Sequence, residues 1–90
     1  MNPTSTKLLR TPGMSLHRQL YMALRANILN RTWPAGSALP TEDALSAQFE
    51  VSRITVRRAL ADLAADALII RRHGVGTFVS DGVDPPRESP

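Results

Sequence analysis

Ninety residues bound one small domain, whose core suffices only if most of the apolar side chains enter it. Eleven Lys and Arg against eight Asp and Glu give a formal charge of +3, which favours a polyanionic partner; the absence of cysteine excludes a disulfide framework, a thiolate metal site and a Cys nucleophile. The first 13 residues lack the apolar run of about 7–15 residues that a secretion signal needs, and the longest aliphatic stretch, residues 67–70, is too short to cross a bilayer, so the expected setting is a reducing cytoplasm without a membrane partner.

Residues 1–13 carry Pro3, Pro12, Gly13 and several Ser and Thr without a sustained period, and read as a mobile N-terminal arm. A helix is predicted from Ser15, as N-cap, to Arg31, because Leu16, Leu20, Leu24 and Ile28 recur every four residues and Ala23 widens the stripe. Its stop is assigned to Trp33-Pro34-Ala35-Gly36, since proline has no amide hydrogen and restricts the residue before it. A short extended piece, residues 37–39, follows. Thr41 can cap a second helix whose first turn carries Glu42 and Asp43 against the positive end of the helix dipole, with Leu45 and Phe49 on its buried face. Val51-Ser52 interrupts. The third helix runs over residues 53–65, burying Val56, Ala59, Leu60 and Leu63 and turning Ile54, Arg57, Arg58 and Ala61 the other way. Residues 69–72 and 77–79 read as strands around the loop His73-Gly74-Val75-Gly76. Beyond residue 80, Gly82, Pro85, Pro86 and Pro90 mark a linker or tail. The expected class is mainly α with a small β-hairpin, as one domain over residues 14–80.

The charge is concentrated where these elements meet. Residues 51–80 hold Arg53, Arg57, Arg58, Arg71 and Arg72 against Asp62 and Asp66. Two short helices joined by a tight turn, the second offering Ser52, Arg53, Thr55, Arg57 and Arg58 near its start, suit a helix lying in a DNA major groove. Arginine forks bind guanine or grip phosphate, hydroxyls do either, and the open amides of a helix start attract phosphate. The same charges would equally suit a solvated face on an ordinary three-helix domain.

The segment LPTEDALSAQFEVSRITVRRALADLAADALIIRRHGVGTFV resembles the signature of the GntR family, and with LHRQLYMALRANI and PAGSALP before it the likeness covers about residues 14–80. LPTE, VSRITVRRAL, LII and HGVGTFV stand in the family's order and spacing. What the resemblance implies is a winged helix-turn-helix, made of three helices, a short strand and a two-stranded wing, acting as the DNA-binding part of a bacterial transcription regulator, with repression as the expected sense. It reads double-stranded operator DNA with the N-terminal end of the third helix in the major groove and the wing near the minor groove. The DNA-contacting set is then Ser52, Arg53, Thr55, Arg57 and Arg58 on the helix and Arg72, His73 and Gly74 on the wing. A small-molecule effector would act only through a C-terminal domain that these residues do not include, and the chain is expected to be a monomer that pairs on DNA or within a longer protein.

Three positions depart from the family pattern. Asp43 stands where many members carry an arginine that touches DNA, so the expectation there is a missing contact or a purely dipolar role. Glu50 and Ala67 stand where glycine is common, and a left-handed backbone at either costs about 1 kcal/mol.

Other chemistry fits less well. Gly74-Val75-Gly76 precedes a strand and has no Lys-Ser or Lys-Thr after it, which argues against a phosphate cradle. His17 and His73 are far apart and lack clustered partners, so no metal, no cofactor and no catalytic residue is expected. Tyr21 and Trp33 could stack on bases, but a lone Trp beside a proline reads as a core plug. A winged helix that binds a protein in place of DNA is the competing function; the arginines of residues 53–72 count against it, and salt-sensitive duplex binding separates the two.

Overall fold

The computed structural model describes residues 13–80, in the order α1 (Leu16–Leu29), α2 (Glu42–Phe49), α3 (Arg53–Ala65), β1 (Ile69–Arg72) and β2 (Gly76–Val79). The expected arm and tail lie outside these residues apart from Gly13. Each helix opens on a hydroxyl residue: Ser15 and Thr41, as the sequence marks, and Ser52, expected only as part of an interruption. Ser15, Thr41 and Ser52 all sit in extended backbone, and their side chains accept from the amides of Arg18, Ala44 and Thr55. Each cap satisfies one of the amides a helix start leaves open, worth about 1 kcal/mol.

α1 ends earlier than its periodicity predicts, and proline is not the cause. Asn30 is the C-cap, Arg31 reverses the chain at φ 69°, and the Trp33 amide reaches back to the Asn27 carbonyl at 3.1 Å. This left-handed turn closes the last helical carbonyls before Pro34 is reached.

Leu20, Leu24 and Ile28 of α1 face Val56, Ala59, Leu60 and Leu63 of α3, and Leu45 and Phe49 of α2 close the third side. All are buried, as the spacing predicts. Fully burying an aliphatic side chain of this size contributes about 1.5–3 kcal/mol, so this shared core holds the three helices against one another. Trp33 is half-buried against the core, the plug expected of it. Tyr21 is buried as well, and its hydroxyl donates to Asp66 Oδ2, which removes it as a stacking surface for bases.

The hairpin is antiparallel, Ile69 opposite Val79 and Arg72 opposite Gly76, so β2 begins one residue before its expected start. Its root is clamped by the buried side chains of Ile69 and Val79. On the far side of β2 the extended piece is held by Gly36 N to Val79 O, Val79 N to Ser37 O and Leu39 N to Thr77 O, all 2.8–2.9 Å. β2 is thus the middle of a small three-stranded arrangement whose other edge is short.

The two suspect positions do adopt left-handed backbone, Glu50 at φ 58° and Ala67 at φ 62°. They stand just before and just after α3, where the chain must turn sharply to and from that helix.

Candidate nucleic-acid interface

The turn between α2 and α3 is built from local bonds. Ser46 Oγ donates to the Val51 carbonyl, and the Val51 amide donates to the Ser46 carbonyl at 3.1 Å. With Glu50 left-handed, these bonds bring the chain straight from the end of α2 into the Ser52 cap. Ser52 accepts from the Thr55 amide at 3.1 Å, and the Ser52 and Thr55 hydroxyls lie 3.0 Å apart. Both candidate hydroxyls are thereby committed first to starting α3. Ser52 remains exposed while Thr55 is half-buried.

Arg53, Arg57 and Arg58 project from the first turns of α3 with Ile54 between them, all exposed. The arginines are not loose. Arg53 Nε lies 2.7 Å from Asp43 Oδ1, and Arg57 Nε donates to Glu42 Oε1 at 2.9 Å. Both acids stand in the first turn of α2, so the packing of α2 on α3 places two carboxylates against two guanidinium groups. The side chains of Arg53 and Arg57 are about three-fifths exposed, at 62% and 59%. Ion pairs this open contribute about 0–1 kcal/mol to folding.

Asp43 therefore has a further role besides the dipolar one expected of it: it anchors an arginine of the neighbouring helix. Neither acid was legible as an arginine partner, because the 10-residue and 15-residue separations have no local period to reveal them. Only the crossing of the two helices makes them neighbours.

At the wing, the Val75 amide donates to the Arg72 carbonyl at 2.9 Å and closes a tight turn with Gly74 at φ +75°. Arg72, His73, Gly74 and Val75 are all exposed there, as is Arg71. The structure thus brings Ser52, Arg53, Thr55, Arg57 and Arg58 together at one end of α3, while Arg72, His73 and Gly74 form a separate group at the hairpin tip. Among the described residues no three His, Cys, Asp or Glu are grouped to hold a metal ion, and no helix is long and apolar enough to cross a membrane.

Known proteins resemble this chain in sequence and in fold. The probable fructoselysine utilization operon transcriptional repressor of Escherichia coli K12 is 45% identical over 67 residues, covering 70% of this chain and 28% of the repressor. The histidine utilization repressor of Pseudomonas aeruginosa is 34% identical over 80 residues, covering 89% of this chain and 32% of that protein. The chain therefore spans about a third or less of the curated relatives it matches. Among solved structures, the DNA-binding domain of AraR in complex with operator ORX1 superposes with a TM-score of 0.81 at 29% identity, covering 88% of this chain and all of that one. Residues 16–79 match the sequence model described as bacterial regulatory proteins, gntR family. Three helices with a terminal hairpin are the winged helix-turn-helix of these regulators, and the chain belongs to the gntR family of bacterial regulatory proteins.

Proposed function

We propose that residues 14–80 form the operator-reading unit of a bacterial repressor in the cytoplasm, with the start of α3 in the major groove and the wing tip beside the adjacent minor groove. The observation that carries this reading is the pair Arg53 and Arg57, standing on the first turns of a capped helix with most of each side chain open to solvent. Arginine forks at that place reach guanine O6 and N7, Ser52, Thr55 and Arg58 position the helix on the backbone, and Arg72, His73 and Gly74 meet DNA at the wing. Relatives named as repressors and a similar domain solved on its operator support it. Sensing of a small effector and stable pairing belong to parts of such regulators outside residues 14–80.

The test begins by selecting duplexes from a random library and titrating the best against the chain at 50 and 200 mM salt. Arg57→Ala is expected to weaken binding by about 1–3 kcal/mol, whereas Arg25→Ala on the exposed side of α1 costs far less. Equal losses for the two would remove α3 as the reading helix. A folded chain without salt-sensitive duplex binding would favour the protein-binding alternative.

A further inference from the structure

We propose that Asp43 is a specificity-determining residue, which holds Arg53 by its Nε edge so that the opposite edge reads a guanine, and which withholds that arginine from the phosphate backbone. The proposal rests on the DNA-reading function above and says how its selectivity arises.

The contact itself is short, 2.7 Å between Arg53 Nε and Asp43 Oδ1, yet both side chains are exposed, at 62% and 69%. An ion pair so open adds little to folding, so its consequence falls on whatever meets that surface. A guanidinium is a rigid plane with donors on more than one edge. Anchoring Nε leaves the two terminal nitrogens as a fork pointing past the carboxylate, the geometry that matches guanine O6 and N7. An arginine without an anchor swings to the nearest phosphate, and a phosphate contact carries no sequence information.

The acid does more than hold. Its negative charge opposes the close approach of backbone phosphates at that spot, which penalises every sequence, while only a correctly placed guanine offers Arg53 a bond in return. Glu42 makes the same kind of pair with Arg57, but its side chain is only 35% exposed, against 69% for Asp43. Asp43 is thus the acid that confronts DNA directly. The Arg53 fork pairs with guanine O6 and N7 and a carboxylate beside it can accept from the amine of the paired cytosine, so the base pair read by Arg53 and Asp43 together is G·C. In effect this chain gives up an indiscriminate grip for discrimination, the quantity that matters against a large excess of competing sites.

The test uses the 90-residue chain with its selected duplex and a scrambled duplex of the same length, titrated by fluorescence anisotropy over a range of salt. Asp43→Asn is expected to tighten the scrambled duplex about threefold, to steepen its salt slope by about one as Arg53 takes a phosphate, and to lower the ratio of the two affinities about tenfold. Asp43→Glu should keep most of the ratio. With Arg53→Ala already present, Asp43→Asn should leave the ratio where it is, since the two residues act as a unit. An unchanged ratio in Asp43→Asn, with or without a lower melting temperature, would make Asp43 a helix-start residue only and overturn the proposal, as would the same loss with Arg53 gone. If the parent chain selects no duplex, the DNA-reading assignment fails and this inference with it.

Discussion

Glu50 and Ala67 occupy backbone where a Cβ crowds the following carbonyl, at a cost of about 1 kcal/mol per residue. Ala67 is exposed, and its small side chain makes replacement clean. Ala67→Gly is expected to raise stability by about 0.5–1 kcal/mol, read as a melting temperature higher by several degrees in a domain of this size. A lower melting temperature would mean that the entropy glycine returns to the unfolded chain outweighs the relieved strain. The left-handed backbone at these sites was legible only through the glycines the family favours there; neither Glu nor Ala announces such a conformation. Tyr21 gives a pH dependence. The hydrogen bond it donates to Asp66, together with burial and the nearby carboxylate charge, raises its pKa above the ordinary 10.0. A raised folded-state pKa contributes stability that is complete below the unfolded value and fades as pH climbs through the folded one. The domain should therefore lose stability more steeply above pH 10 than Tyr21→Phe does, in denaturation curves measured from pH 8 to 11. Parallel curves for the two proteins would show that the bond does not act on folding.

Among the elements, α3 was read to the residue and α1 was not, and the difference is physical. The start of α3 is set by a Ser cap and its length by its apolar spacing, both local to the chain, whereas α1 ends on a left-handed Arg31 and a bond from Trp33 back to Asn27 that no residue type advertises. The wing tests the same distinction between local and distant causes. Gly74 has φ +75°, yet no heavy atom lies within 4 Å of where its Cβ would stand. A substitution there meets no neighbour and strains only the backbone. Gly74→Val is expected to cost about 1–2 kcal/mol and Gly74→Asn clearly less, because Asn tolerates left-handed backbone. Chemical denaturation checks that ranking. If the tip also meets a narrow groove, folded Gly74→Val will bind duplex DNA more than fivefold weaker, beyond the loss its stability explains.

At the scale of the whole fold, the exposed large apolar side chains among the described residues are Met22, Ile54, Ile70 and Val75, one on each of four different segments. Single exposed apolar side chains are ordinary on the surface of a monomer. The chain should sediment as a monomer and bind a single half-site in the micromolar range, with a salt slope of roughly −3 to −5 for the phosphates one α3 and one wing can reach. Fusing two copies through a dimeric coiled coil should improve binding to an inverted repeat about a hundredfold and leave a single half-site unchanged; a tight dimer of the unfused chain would contradict this. The layout of the domain was visible in sequence because caps and periodicity are written locally, but the pairing of Glu42 and Asp43 with Arg57 and Arg53 was not, since two helices had to cross first. The bonds at the wing root have a mechanical consequence. Ser80 donates to the Leu68 carbonyl, Val79 to Ser37, and the side chain of Val79 is locked in the core. A pull applied to the chain past Ser80 would therefore load the hairpin's base and, through Val79, the extended piece that leads to Thr41 and α2.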